Sequence, residues 1–294
     1  MGKNISKLAL GSANFGLEYG LANTSGQISE KELENILLLA EWAGVEVVDT
    51  AQVYGDSETR LGALCKNYRF NIVTKIGADL ENDFVKKSVS GLVEQSCSKL
   101  KQSQLYAVML HRPEVLLGNQ GNLILKELLA LKERNIISKI GISIYSPEIL
   151  EEISELCCMD IVQAPFNIFD QQIFLSGWSD KLKKSGVEIH TRSVFLQGLL
   201  LMQEPSLPKY FTNNWQDLFR SWYNFLRTNK AEALEVALNF VLEQDWIDKV
   251  VVGVDSVSQL RALVEIEKSS VSMVFPKIAC NDPKLINPSK WNLT

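Results

Sequence analysis

Short runs of apolar residues, many of them β-branched, recur along the chain and alternate with segments whose apolar residues have helical spacing. The run at 250–252 consists of three valines, as expected for a strand buried on both faces of a parallel sheet. Ser29 and Glu32 form a capping-box pattern that predicts the start of an amphipathic helix. Together these patterns predict eight strands, at residues 8–11, 45–49, 71–75, 105–110, 137–143, 160–164, 187–193 and 249–253.

Helices are predicted between these strands. The alternation of strands and helices predicts an α/β fold with a parallel sheet. Eight such units in 294 residues predict a (β/α)8 TIM barrel that forms a single domain over 1–294. A doubly wound sheet is the alternative, but no G-x-G-x-x-G motif follows the first strand. The predicted helices include those that begin at Ser29, at Asp56 or Ser57, and at Pro147, and those over 83–100, 123–132, 171–184 and 256–267.

Two segments fall outside this repeat. The first is an insertion near 199–230, where Trp215, Phe219 and Trp222 have the spacing of one helix face. An extra helix packed on the barrel rim is the favoured interpretation, and a lid or wall over a substrate is the alternative. The second is a C-terminal tail over 276–294, and the sequence leaves open whether it covers the mouth or the base of the barrel.

Composition and charge narrow the function classes. Apolar residues make up 46% and charged residues 22% of the chain, which is typical of globular proteins. The net charge of −5 does not favour a general binder of nucleic acid or of anionic membranes. No signal peptide and no transmembrane stretch is apparent. We therefore expect a cytoplasmic protein without nucleic-acid or membrane partners, of unknown oligomeric state.

The cysteine and histidine content gives no reason to expect a metal or a disulfide framework. Five cysteines without a secretory signal predict reduced thiols. The adjacent Cys157 and Cys158 are interpreted as small residues at a helix end, with a redox pair as the alternative. The chain has two histidines and neither a His-Glu-x-x-His nor a Cys-x-x-Cys motif, so no metal site is predicted.

Candidate chemistry lies where predicted strands end. Asp49, Lys75 and His111 each end a strand, and Tyr54 follows one closely, at the edge where a barrel carries its active site. A tyrosine hydroxyl could protonate the oxygen of a carbonyl during reduction if a nearby ammonium lowered its pKa. Lys75 is the candidate for that ammonium, held by an ion pair with Asp49, and His111 could hydrogen-bond the same oxygen.

The stretch 49–62 reads Asp-Thr-Ala-Gln-Val-Tyr-Gly-Asp-Ser-Glu-Thr-Arg-Leu-Gly and resembles the signature of the aldo-keto reductases. The resemblance implies that Asp49, Tyr54, Lys75 and His111 form a catalytic tetrad in which Tyr54 is the general acid. It also implies a nicotinamide cofactor, NADPH on family grounds with NADH as the alternative.

Three further segments are similar to the family's cofactor-binding segments. Gly141-Ile142-Ser143 and the strand-ending Gln163 imply that Ser143 and Gln163 hold the nicotinamide carboxamide, although Ile144 replaces an expected Asn. The run 192–200 implies that Arg192 stacks on the nicotinamide and that Ser193 and the backbone through Gly198 contact the pyrophosphate.

The segment 253–260 implies that Gly253, Ser256 and Gln259 bind near the adenosine phosphate. Asp255 departs from the family pattern by placing a negative charge there, and Arg261 is a candidate to compensate for it. At the opposite end, the resemblance implies that Gly11 and Ser12 line the nicotinamide face.

These expectations combine into one favoured hypothesis and two alternatives. The favoured hypothesis is the reduction of a small aldehyde or ketone, and a sugar-derived carbonyl is one candidate substrate. Asn14, Phe15 and the aromatic insertion would shape the substrate pocket. The first alternative is a lyase that forms a Schiff base on Lys75. The second is a nicotinamide-binding regulatory or redox-sensing subunit with little turnover.

Overall fold

The computed structural model of the chain describes residues 5–21, 26–65, 68–77, 88–156, 159–269 and 273–293. Its strands are β1 Leu8–Gly11, β2 Val47–Asp49, β3 Asn71–Ile76, β4 Leu105–Leu110, β5 Ile137–Ser143, β6 Ile161–Pro165, β7 Glu188–Arg192 and β8 Lys249–Gly253. All pairings are parallel, each strand lies beside its neighbour in sequence, and β8 pairs with β1. This closed barrel confirms the predicted (β/α)8 fold.

Alternate residues of each strand face two different environments. Ala9, Val47 and Val73 belong to a buried cluster inside the barrel, whereas Leu8 and Val48 pack with residues of the surrounding helices. Because side chains alternate along a strand, the residue two positions beyond an inward-facing one also faces inward. This parity brings together, at the C-terminal mouth of the barrel, Gly11, Asp49, Lys75, His111, Ser143, Gln163, Arg192 and Gly253.

Helices follow or connect the strands. Most are short or of moderate length, as is usual for a barrel of this size. They are α1 Ala13–Gly16, α2 Glu30–Ala43, α3 Ser57–Leu64, α4 Val89–Leu100, α5 Gly121–Glu133, α6 Glu148–Ile153, α7 Gln172–Leu175, α8 Trp178–Lys184, α9 Lys209–Asn214, α10 Gln216–Asn229, α11 Ala233–Leu242, α12 Val257–Ser269 and α13 Pro283–Ile286.

The N-terminus of α2 contains half of the predicted capping box. The Ser29 hydroxyl accepts a hydrogen bond from the Glu32 N–H at 3.2 Å. The Glu32 carboxylate does not return to Ser29 but accepts from the N–H of Val257 at 2.7 Å. It therefore satisfies a donor in the first turn of α12, which a helix leaves without an internal partner, and joins the first long helix to the last.

Several element boundaries differ from the prediction. The single helix over 171–184 is wrong, because Gly177 has a left-handed φ of 77° and separates α7 from α8. Ser193 lies beyond β7, also in a left-handed conformation with φ 63°. Pro147 precedes α6 instead of occupying its first position. The predicted helix from Asp83 begins at Val89, after an N-cap at Ser88, and 83–87 lie outside the described residues.

The insertion and the C-terminal tail pack on each other. Phe211 of α9 is fully buried, and its ring meets that of Trp291 edge-on with 5.0 Å between centroids. The Trp215 indole N–H donates to Asp282 at 3.2 Å, and the Tyr210 hydroxyl donates to the Lys284 carbonyl at 3.0 Å. Aromatic side chains of the insertion therefore pack against the tail and extend the main hydrophobic core.

Two further observations bear on the sequence expectations. In the part of the chain that the structure describes, no helix has the length and apolarity needed to cross a bilayer. Cys65, Cys97 and Cys280 are free thiols, while Cys157 and Cys158 lie outside the described residues.

Candidate active site

A cleft of about 810 Å³ opens at the C-terminal ends of the strands. Most of the residues singled out in the sequence line it, and they come from segments far apart in the chain. Lys75 and Ser256 are not among the lining residues. The predicted residues that line the cleft are Gly11, Ser12, Asn14, Asp49, Tyr54, His111, Ser143, Gln163, Arg192, Ser193, Gly198, Gly253 and Gln259.

A buried ion pair lies beneath the cleft. The Lys75 ammonium bonds one carboxylate oxygen of Asp49 and donates to the Thr50 carbonyl at 3.2 Å. The Gln163 amide donates to the other Asp49 oxygen at 2.7 Å, across the barrel. Burial lowers the pKa of Lys75, and the Asp49 carboxylate opposes that shift. The predicted ion pair is confirmed, and each of its charges has hydrogen-bonding partners, as a buried charge requires.

Tyr54 lies on the wall of the cleft above this pair. Its ring centroid is 5.5 Å from the Lys75 ammonium and 6.2 Å from the His111 ring, which it meets edge-on. The structure thus brings all four predicted catalytic residues together. Lys75 is only 1% exposed and does not itself line the cleft.

The pKa of Tyr54 differs from the prediction. Burial and the negative charge of Asp49 raise its pKa above the ordinary value, and the cation that opposes this shift is Arg192. The ammonium of Lys75 is occupied by Asp49 and Thr50 instead. The Tyr54 hydroxyl therefore stays protonated throughout the neutral pH range.

His111 is neutral at physiological pH. Burial, together with the positive charges of Lys75 and Arg192, lowers its pKa to about 4. Its Nδ1 atom is buried without a hydrogen-bond partner. A neutral imidazole carries a single N–H, so His111 can offer a reacting oxygen a hydrogen bond but no positive charge.

Glycines missed in the sequence determine how closely α1 approaches the Tyr54 loop. A Cβ on Gly16 would lie 1.9 Å from the Tyr54 carbonyl oxygen, and a Cβ on Gly55 would lie 2.2 Å from the Gly16 carbonyl oxygen. Gly55 also has a left-handed φ of 57°. Only glycine fits at these two positions, and the close approach holds the Tyr54 loop against α1.

A second part of the cleft is built around Arg192. Its guanidinium donates to the Ile144 carbonyl at 3.0 Å and to the Ser193 hydroxyl at 3.3 Å, and it lies 4.4 Å above the ring of Tyr145. Beyond it, the loop through Gly198 contains consecutive left-handed residues. Tyr145 lines the cleft but was not predicted, and nothing in the sequence around it distinguishes it.

The opposite end of the cleft lies at the start of α12. The Ser256 hydroxyl accepts from the Gln259 N–H at 3.2 Å, and the Gln259 side chain accepts from the Asp255 N–H at 2.7 Å. This cap occupies Ser256, which explains why it does not face the cleft. Asp255 does line it and accepts a hydrogen bond from Asn14.

The structure also bears on Arg261, Phe15 and the aromatic insertion. Arg261 is not among the residues that line the cleft. Phe15 is completely buried and is not part of the pocket wall. Within the described part of the chain, Leu201 of the insertion lines the cleft, whereas no residue of α9, α10 or the tail does so. The aromatic residues of the insertion therefore do not shape the cleft there.

The residues present fit a nicotinamide. The Gln163 carbonyl oxygen is buried without a partner in the floor of the cleft. Buried acceptors normally find a donor, and the amide N–H of a carboxamide supplies one. Ser143, the neighbouring strand end, is in position to contribute its hydroxyl to the same group.

We expect Gly16→Ala to destabilise the fold by about 1–3 kcal/mol, because the new methyl group cannot fit between α1 and the Tyr54 loop without moving the backbone. Urea unfolding followed by fluorescence measures the change. Gly91→Ala is the matched control, because a Cβ there meets its nearest atom, the Ser88 hydroxyl oxygen, at an ordinary 3.5 Å. Equal stability of Gly16→Ala and wild type would contradict the close approach.

We expect the lowered pKa of His111 to reduce the free energy of unfolding in acid. An unfolded histidine binds a proton near pH 6.5, whereas folded His111 does so only near pH 4, so the unfolded state binds more protons between these values. Stability attributable to His111 is therefore lost as the pH falls below about 6.5. Between pH 7.5 and 5, wild type should lose about 2 kcal/mol more than His111→Asn in urea unfolding. Parallel losses in the two proteins would show that the histidine is not held neutral.

Comparison with known proteins bears on this site. The sequence model of the Aldo/keto reductase family matches residues 7–274. D-arabinose 1-dehydrogenase from Saccharomyces cerevisiae is 25% identical over 302 aligned residues, which cover 93% of this chain and 87% of the relative. An aldo-keto reductase from Bacillus halodurans matches in its holo form with a TM-score of 0.73 at 20% identity, over 92% of this chain and 88% of that chain. Its apo form matches over the same shares with a TM-score of 0.69 at 19% identity.

These matches carry different weight. At such low identity the solved structures support the fold alone. The family match spans nearly the whole barrel and includes every strand. Aldo-keto reductases are oxidoreductases that use nicotinamide cofactors, and the family together with the yeast relative supports carbonyl reduction as the general chemistry. The chain belongs to the aldo/keto reductase family.

Proposed function

We propose that this protein reduces a small aldehyde or ketone to an alcohol with a nicotinamide dinucleotide, and that Tyr54 is the general acid. The observation that carries the proposal is the placement of Tyr54 and His111 on one wall of the cleft, directly above the buried Lys75–Asp49 pair. A sugar-derived carbonyl is a candidate substrate, because the yeast relative is a D-arabinose 1-dehydrogenase.

Each residue has a distinct part in the proton transfer. When bound, the reduced nicotinamide supplies the hydride that is added to the carbonyl carbon. The Tyr54 hydroxyl donates its proton to the carbonyl oxygen, and water returns a proton to the phenolate afterwards. His111 orients the same oxygen through a hydrogen bond. The positive charge of Arg192 favours the transient phenolate.

A raised pKa is compatible with this role. Reduction needs the protonated form of Tyr54, and burial together with Asp49 keeps that form dominant. The oxygen that receives the proton becomes a developing alkoxide, which is more basic than a phenolate, so the transfer runs downhill. The raised pKa of Tyr54 thus opposes the reverse reaction, in which the phenolate would act as base, more than the reduction itself.

The cofactor would lie along the cleft. Gln163 and Ser143 would hold the carboxamide, Gly11 and Ser12 would line the nicotinamide face, and Arg192 would stack on the ring. The pyrophosphate would meet Ser193 and the backbone through Gly198. The residues proposed near the adenosine are Gly253, Ser256 and Gln259, with Ser256 acting through the cap of α12.

The family favours NADPH, and the adenosine end of the cleft makes NADH a strong competitor. Asp255 lines the cleft there, whereas no lysine or arginine does so among the described residues of that end. A 2′-phosphate near Asp255 would meet a carboxylate without a compensating cation.

The lyase alternative loses its support. A Schiff base requires Lys75 to reach the substrate, but Lys75 is 1% exposed, paired with Asp49 and absent from the cleft wall. A desolvated, unpaired lysine is the usual nucleophile of such enzymes. Lys75 does not meet that description.

We expect Tyr54→Phe to lower kcat for aldehyde reduction at least about 1,000-fold while dinucleotide binding changes less than about threefold, because the variant loses only the proton donor. Initial rates and fluorescence titration measure the two effects. Tyr210→Phe is the control, since its hydroxyl lies on the surface at the tail. Full activity of Tyr54→Phe would contradict the mechanism. Binding by wild type without turnover on any aldehyde or aldose would favour the regulatory alternative.

We expect Asp255→Ser to shift cofactor preference toward NADPH by about 10-fold, because it removes a negative charge next to the proposed 2′-phosphate position. The ratio of the dissociation constants of NADH and NADPH, obtained from tryptophan fluorescence, measures the shift. Asp245→Ser, a charge-matched substitution at a residue outside the cleft wall, is the control. An unchanged ratio in Asp255→Ser would place the 2′-phosphate elsewhere.

A further inference from the structure

Arg192 carries a positive charge without an ion-pair partner at the reacting end of the cleft. Among the described residues that line the cleft, it is the only lysine or arginine. No carboxylate oxygen in the described chain comes within the 4.0 Å of an ion pair. Asp49, which lines the same end, is already neutralised by Lys75. The guanidinium charge is therefore available to a ligand.

The guanidinium is held in a fixed place. Arg192 ends β7, while its hydrogen-bond partner Ile144 follows β5. The side chain therefore spans the end of β6, the strand that carries Gln163. Its second hydrogen bond, to Ser193, and its contact with the Tyr145 ring fix the plane of the group. A preorganised cation loses little freedom when a ligand binds beside it.

The hydride donor has to lie close to this cation. Tyr54 protonates the oxygen of the carbonyl whose carbon receives the hydride, and reacting atoms approach within about 3–3.5 Å before reaction. The nicotinamide must therefore share the end of the cleft that Tyr54 and Arg192 both line. The charge of Arg192 acts on the groups at this end, because it lowers the pKa of His111 and opposes the rise in the pKa of Tyr54.

We infer that Arg192 makes the cleft bind the reduced dinucleotide more tightly than the oxidised one, so that the reduced form is loaded in preference. The inference rests on the proposed function. A reduced nicotinamide ring is neutral, whereas an oxidised ring carries a positive charge. The guanidinium repels only the oxidised ring, and release of the oxidised product is promoted for the same reason.

The type of side chain at the end of β7 decides whether the oxidised ring is repelled or attracted. An aromatic side chain at the end of β7 would attract a cationic ring through its π face. The aromatic ring in this structure, Tyr145, instead lies against the guanidinium. On this side of the cleft the nicotinamide would thus face an arginine and not an aromatic ring.

The expected size follows from Coulomb's law. Two unit charges about 5 Å apart in a medium of effective dielectric constant about 20 repel by enough to weaken binding on the order of 100-fold. Water in the open cleft reduces this repulsion. We therefore expect Arg192 to contribute about a 10-fold preference for the reduced form.

Dissociation constants of the reduced and oxidised dinucleotides test the inference. The probes are NADPH with NADP⁺ and NADH with NAD⁺, titrated by tryptophan fluorescence and checked by calorimetry. The proteins are wild type, Arg192→Lys, Arg192→Gln and Arg192→Met. Arg192→Gln retains an amide donor for the Ile144 carbonyl, and thermal melts establish that each variant is folded.

The ratio of the oxidised to the reduced dissociation constant is the readout. We expect it to fall about 10-fold in Arg192→Gln and Arg192→Met, mainly through tighter binding of the oxidised form, and to stay within about threefold of wild type in Arg192→Lys. An unchanged ratio in the two neutral variants would overturn the inference, and so would an equal fall in Arg192→Lys. Failure of wild type to bind any dinucleotide would instead overturn the proposed function.

Discussion

The ion pair between Lys75 and Asp49 is the interaction on which the mouth of the barrel depends. Both side chains are nearly inaccessible to solvent, and removing one partner of such a pair leaves an unpaired buried charge at a cost of about 3–5 kcal/mol. Gln163 and the Thr50 carbonyl occupy the remaining sites around the pair. The ion pair and these hydrogen bonds therefore connect the ends of β2, β3 and β6 across the barrel. Tyr54 lies above this group of residues, whose rearrangement would leave a buried charge unpaired.

Because Lys75 is paired with Asp49, the two cations at the barrel mouth, Lys75 and Arg192, lie in different environments. Lys75 is committed to Asp49 and Thr50, so its charge is fixed beneath the cleft and is not part of the cleft wall. Arg192, which has no carboxylate partner in the described chain, contributes the charge that the cleft itself exposes. The sequence indicated a single cation acting on Tyr54, but the structure provides two: Lys75, which is buried and paired with Asp49, and Arg192, which is half-buried in the cleft wall.

Much of this was predictable because it depends on strand parity. Once the strands were located, residues such as Asp49, Lys75 and His111 had to meet at the barrel mouth. Contacts that depend on loop geometry were not predictable. Nothing in the sequence distinguishes Gly16 from other glycines, because its importance lies in the close approach of α1 to the Tyr54 carbonyl. Tyr145 follows a strand, but no motif marks it. The failure for Phe15 has the same cause, because an unpredicted turn of helix directs it into the core.

The short helix α1 joins the two ends of the cleft. Asn14 donates to Asp255 before the start of α12, while Gly16, two residues later, packs against the Tyr54 carbonyl. A helix of four residues contains few internal hydrogen bonds and has little stability of its own. Its position therefore depends on these contacts with the α12 end and with the Tyr54 loop, which lie far apart in the sequence.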